Sequence, residues 1–187
     1  MVTLLLLRLD ARQRTPSAVD RCIVALVQAD ITTLTVDAIV NAANNHLQRG
    51  GGVCGSIFSA AGPSLDVACA AINGCATGQA VLTDPFGIRH VKAIVHAVGP
   101  RVSGPVTDEH RQQLASSYMR SLDAVVQHGL TSIVRQCSCL KASFILQAFP
   151  CISTAIYGFP NEAAAEVALN AVTQWLNSDN NIEKVEV

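Results

Sequence analysis

Charge is scarce in this chain. Only 14% of its 187 residues are charged, and 13 basic residues against 14 acidic ones leave a net charge of −1. Without a basic excess there is no broad electropositive face, which excludes charge-driven nucleic-acid binding while leaving room for a small local patch. Metal-binding patterns are also missing. Seven cysteines occur, but no Cys-x-x-Cys pair, and Cys137 and Cys139 have no nearby histidine, so no zinc site is expected. Their odd number and scatter exclude a disulfide framework and point to free, mostly buried thiols in a reducing, intracellular compartment rather than a secreted one. Long apolar runs are absent too. Leu4 to Leu7 is cut off by Arg8 and Asp10, too short for a membrane span and without a signal peptide's layout. No repeat and no interdomain linker is visible.

What is present is a globular composition. Half the residues are hydrophobic, and the length suits one domain with its own core. Apolar runs at residues 22–27 and 38–40 read as buried strands, as do 79–83 and 91–98. Residues 56–61 and 65–72 read as short helices, divided by Gly62-Pro63 and closed by Asn73-Gly74. The strongest helix signal spans 108–128, where Leu114, Tyr118, Leu122, Val125 and Val126 recur at helical spacing. A strand begins at Ile133. Residues 161–176 form a further helix, with Asn161 as cap and Ala165, Leu169, Val172 and Leu176 on one face. Residues 182–187 start a last strand. This alternation indicates an α/β fold with buried, largely parallel strands. Residues 1–20, with Leu4 to Leu7 as a possible outer strand, read as an N-terminal extension to a domain at 21–187.

The most distinctive stretch is 41–55. It holds Asn41, Asn44, the run Gly50-Gly51-Gly52 and Cys54. Glycines let backbone N–H groups approach a ligand closely, and a helix starting there adds the positive end of its dipole, which together suit a phosphate. Three other segments share the position just after a strand: 28–32 with Asp30, 40–44, and 151–160 with Ser153 to Tyr157. Ligands of α/β folds bind outside the carboxyl ends of strands. Two of these segments offer backbone donors, so a diphosphate clamped from both sides fits them.

In this order and spacing, the segments resemble the macrodomain family, from about residue 27 to the end of the chain. Cys75-Ala76-Thr77-Gly78 and His96-Ala97-Val98-Gly99-Pro100 are similar to the family's sequence between the binding loops. The resemblance implies a three-layer α/β/α sandwich around a mixed sheet, with a crevice for ADP-ribose. Carried over, Asp30 accepts a hydrogen bond from the adenine amino group and Ile31 supplies a backbone contact beside it. Asn44 bonds the distal ribose. Gly51, Gly52 and Val53 line one side of the diphosphate. Ser153, Thr154, Ala155, Ile156 and Tyr157 line the other, with Tyr157 near the distal ribose. Each has a plainer reading as well. Asp30 would cap a turn before Thr32, Asn41 would bond loop backbone, Tyr157 would be a core aromatic, and His96 a satisfied core histidine. Cys69, Cys75 and Cys151 read as small core residues.

Three departures bear on chemistry or binding. Hydrolytic macrodomains often carry Asp where this chain has Cys54 and His where it has Phe58. A cysteine is no carboxylate; its thiol titrates at about 8.5, lower at a helix N-terminus. Alphavirus-type macrodomains have a similar Gly-Val-Cys and hydrolyse, with a substrate phosphate suggested as base. Ala155 stands where most relatives have Gly, a cost of about 1 kcal/mol or more if its φ is positive. Residues 134–147 read as an insertion, and the C-terminal strand and helix as truncated. The resemblance implies hydrolysis of mono-ADP-ribosyl-protein or O-acetyl-ADP-ribose at the distal ribose, with Asn44, Gly52 and Cys54 as the catalytic candidates. The alternative is a non-catalytic ADP-ribose reader. No metal or cofactor is expected. The expected partners are ADP-ribose or ADP-ribosylated proteins, not membrane or nucleic acid, and the expected state is a monomer.

Overall fold

The computed structural model describes residues 2–10, 23–130, 132–133 and 143–178. Their strands are β1 (Val2–Asp10), β2 (Ile23–Ala29), β3 (Ala38–Ala42), β4 (Ala80–Thr83), β5 (Ala93–Ala97), β6 (Ser132–Ile133) and β7 (Ser143–Pro150). Four helices flank them: α1 (Gly52–Ala61), α2 (Pro63–Ile72), α3 (Asp108–Gln127) and α4 (Asn161–Asn177). One sheet runs in the order β2-β1-β7-β3-β5-β4, with β6 also paired to β7. The expected mixed sheet and α/β/α layering are therefore in place. Parallel pairing is confined to the centre, where β3 lies between β5 and β7, and the flanking pairs are antiparallel.

The N-terminal strand is a correction. β1 pairs along both its edges, to β2 and to β7, so it is neither an outer strand nor an extension, and the sheet begins before the expected boundary at residue 21. Within the expected insertion, residues 143–147 belong to β7, and 134–142 lie outside the described residues, as do 182–187.

β3 and β5 read Ala-Ile-Val-Asn-Ala and Ala-Ile-Val-His-Ala, near-continuous apolar runs suited to burial on both faces. Ala38, Val40, Ala93, Val95 and Ala97 join a core with α3 and α4. Ile39 and Ile94 join a second core with α1 and α2. Asn41 and Asn41's neighbour His96 share the parity of these isoleucines, so both point to the α1–α2 side.

The helices stop and start where local chemistry dictates. Gly62, at φ 82°, ends α1 and begins α2, and the two helices meet at a 111° bend. α3 opens on a capping box between Thr107 and His110 and buries Leu114, Tyr118, Leu122 and Val125 as expected. α4 differs from expectation at two points. Its N-cap is Pro160, with Asn161 already helical, and its buried face is Ala164, Val167, Ala168, Ala171, Val172 and Trp175, while Ala165 and Leu169 are exposed. An Ala- and Val-rich helix offers more than one apolar stripe. The indole of Trp175, donating to Asp123 Oδ1 of α3 at 2.8 Å, selects the one that is used.

Candidate ligand-binding crevice

β1 runs antiparallel to both β2 and β7, so β2 points the same way as β7, β3 and β5. Register places Ala29 opposite Val2 and Pro150 opposite Leu4. The loops leaving these four carboxyl ends therefore emerge at one edge of the sheet, where open α/β folds bind ligands. They carry Asp30, the 43–51 loop, the turn at Val98 and Gly99, and residues 151–160. All four segments singled out in the sequence meet at this edge.

At one end, Asp30 caps a single 3-10 turn (Ile31–Thr33). Its Oδ1 accepts from Thr32 N at 3.0 Å and Thr32 Oγ1 at 2.8 Å. The backbone bond, then the hydroxyl bond, holds its carboxyl below the usual range. His90 donates through Nε2 to Thr32 O at 2.7 Å, tying this turn to the loop between β4 and β5. Ile31 is buried, so its side chain is committed to the core.

Asn44 builds the next loop. Its Oδ1 accepts from His46 N and Gln48 N, both at 3.1 Å, and its Nδ2 donates to Gln48 O at 2.9 Å. This closes a turn that carries Leu47 at φ 55° into the core. Asn41 does not bond loop backbone, contrary to expectation. Its Nδ2 meets His96 Nδ1 at 3.0 Å, and its buried Oδ1 has no partner. His96 Nε2 meets Thr83 Oγ1 at 3.0 Å. Burial lowers His96 to a pKa of about 4, so it is a neutral, satisfied core histidine, with Phe58 at its edge 6.3 Å away.

The N-cap of α1 is Gly51, which has no side chain to cap the N–H groups of the first turn. Gly52 needs its glycine for φ 59°, whereas Gly51 sits at φ −90° with nothing within 4 Å of a Cβ. Gly55 is the glycine that packing demands: a Cβ there would lie 2.7 Å from Gly50 O. The sequence reading missed it, although a glycine inside an otherwise apolar helix was visible. Val53 is half-buried. Cys54, in the same turn, is 5% exposed and its thiol is pushed up by burial, against smaller opposing effects of the Gly50 backbone, Asn41 and Arg49. It donates weakly to Gln48 O at 3.8 Å. At neutral pH Cys54 is a thiol and His96 a weak base with both nitrogens engaged, so neither supplies a strong general base.

The loop after β7 closes the edge. Ser153 adopts φ 66° and is 7% exposed, and its Oγ has no partner. Ala155 is not a positive-φ position, so the cost considered for it does not arise; Ser153 and Gly158 take the left-handed conformations. Thr154 Oγ1 donates to Cys151 O at 3.0 Å. Ala155 is exposed, Ile156 is 78% exposed and Tyr157 is half-buried. Val102 N donates to Tyr157 O at 2.8 Å. Tyr118 holds the base of the loop, donating to Pro150 O and accepting from Ile152 N, each at 3.3 Å. Gly99 was missed as a site residue: a Cβ there would collide with Ser153 Oγ, so its glycine lets two strand-end loops touch. Among the described residues, no group of three or more His, Cys, Asp or Glu side chains is placed to hold a metal ion.

A mixed α/β/α sandwich with its loops gathered on one edge defines a class that comparison makes specific. The Macro domain family model matches residues 40–168, and the chain belongs to this family. It is 46% identical over 153 residues to human ADP-ribose glycohydrolase MACROD2, an overlap that covers 82% of this chain and only 32% of that protein. It is 42% identical over 166 residues to Macro domain-containing protein CT2219 of Chlorobaculum tepidum, covering 89% of this chain and 87% of that one. The Oceanobacillus iheyensis macrodomain with ADP superposes with a TM-score of 0.72 at 31% identity, over 94% of this chain and 85% of the other. The Trypanosoma brucei macrodomain in complex with ADP-ribose gives 0.67 at 32%, over 83% and 58%.

Proposed function

We propose that this domain binds ADP-ribose and hydrolyses mono-ADP-ribosyl-protein or O-acetyl-ADP-ribose at the distal ribose. The observation that carries the reading is the start of α1: an uncapped helix N-terminus opened by glycines, on the same sheet edge as the Ser153–Tyr157 loop. Its first-turn N–H groups and dipole suit a diphosphate. Adenine lies by Asp30 and Ile31, and the distal ribose by Asn44. The ligands named with the solved relatives and the glycohydrolase name of MACROD2 support ADP-ribose binding and hydrolysis.

With Cys54 neutral, water is held between Asn44, the Gly52 to Cys54 turn and a substrate phosphate that receives the proton. Positioning and backbone dipoles supply the acceleration. Two observations favour a second reading, a non-catalytic reader: Cys54 carries no charge, and Phe58 is packed in the core where hydrolytic macrodomains often carry His. A gel assay of release from a mono-ADP-ribosylated protein, beside calorimetry with free ADP-ribose, separates the two. Binding without release overturns hydrolysis, and absence of both overturns the site.

A further inference from the structure

Arg49 is the last side chain before Gly50-Gly51-Gly52, and it reaches back across two helices. Its Nη1 donates to Ser59 Oγ at 3.3 Å, and its Nη2 donates to Phe58 O at 3.3 Å. Nη2 also pairs with Asp66 Oδ2 of α2 at 3.2 Å, and the guanidinium carbon lies 5.6 Å from the centre of the Phe58 ring. The Arg49 and Asp66 side chains are 45% and 44% exposed, so the ion pair by itself contributes little to stability. The geometry matters more. A planar fork stacked on a fully buried ring and bonded at three points has one orientation, which a lysine would not reproduce.

The glycines that follow have no side chains with which to hold a conformation, and glycine has the most freedom to lose on ordering. Asn44 fixes the loop as far as Gln48. From there to the first turn of α1, Arg49 is a second side-chain anchor beside Cys54, whose thiol meets Gln48 O and the Gly50 backbone. We infer that Arg49 is a positioning residue for the phosphate cradle: by gripping Phe58, Ser59 and Asp66 it orders the three-glycine segment before ligand arrives. This rests on the proposed binding of ADP-ribose. The rival role for an arginine beside such a loop is direct contact with phosphate, in which case Asp66 competes with the ligand for it.

Asp66→Asn separates these roles, because anchoring and competition predict opposite signs. As an anchor, Arg49 loses the charge on one of its three bonded partners in Asp66→Asn, and ADP-ribose binds roughly two- to threefold more weakly by calorimetry. Arg49→Ala removes the whole grip and weakens binding roughly five- to tenfold, Arg49→Lys does not restore affinity, and adenosine affinity is unchanged in all three. Amide hydrogen exchange on free protein accelerates at residues 50–54 in Arg49→Ala and Asp66→Asn, while protection of β3 and β5 stays as in the wild type. Tighter ADP-ribose binding by Asp66→Asn, or unchanged exchange at residues 50–54, overturns the inference. A wild type that binds no ADP-ribose overturns the proposed function instead, and the exchange experiment still decides the role of Arg49.

Discussion

Gly51→Ala separates what the fold needs from what the ligand needs. Gly51 has φ −90° and ψ −176°, open to any residue, and a Cβ there finds nothing within 4 Å. Two effects on stability oppose each other. Alanine is a poorer N-cap than glycine, by about 0.5–1 kcal/mol. It also narrows the unfolded ensemble, which stabilises by about 0.4–1 kcal/mol. They nearly cancel, so the unfolding free energy should change by less than about 0.5 kcal/mol. Binding should respond differently. If a diphosphate lies against this glycine, the methyl overpacks the contact at about 1–3 kcal/mol, a Kd roughly 5- to 150-fold higher. Thermal unfolding and ADP-ribose calorimetry on the same sample provide the test. Unchanged affinity in a stable variant would refute the cradle, and a marked loss of stability would refute the steric reading of the loop.

Three further outcomes follow from the same geometry. Gly99→Ala places a methyl against Ser153 Oγ and 2.6 Å from Ile152 Cγ2. Ser153 can rotate away without losing a hydrogen bond, but the buried, β-branched Ile152 cannot. The cost should be about 2 kcal/mol, lowering Tm by roughly 4–8 °C with weaker ADP-ribose binding; an unchanged Tm contradicts the contact. His96 titrates at about 4 in the fold against 6.5 unfolded, so the unfolded state binds more protons between these values. Stability should fall by about 3 kcal/mol as pH drops from 6.5 to 4, and urea unfolding of His96→Asn beside wild type should show a shallower decline in the variant. Cys54→Asp places a carboxylate in the first turn of α1, and release from mono-ADP-ribosylated protein should rise on the order of tenfold or more; an unchanged rate means that a base at this position does not limit the reaction.

Much of the fold, and the strand-end position of the candidate loops, was legible because it is written locally. The glycine run before α1, the apolar strands β3 and β5, the spacing of Leu114, Tyr118 and Leu122, and the loop from Ser153 to Tyr157 each declare themselves within a few residues. Asp30 was readable both as a cap and as a ligand residue, and the structure displays the cap without bearing on the ligand role. Elements that depend on distant partners were harder to read. The buried stripe of α4 follows from Trp175 meeting Asp123, 52 residues away, and the partner of Asn41 lies 55 residues away on β5. Gly99 looked like a strand end until Ser153 came up against it.

The sequence by itself determined the element types, the order of the binding loops and the family resemblance, because backbone propensity and glycine freedom act over a few neighbouring residues. Only the tertiary structure decided which strands share an edge and that β1 lies inside the sheet. It also decided that Ser153 rather than Ala155 carries the strained backbone, and that Cys54 sits deep enough to remain a thiol. Those outcomes depend on register and desolvation, which arise only when segments far apart in the chain pack against one another.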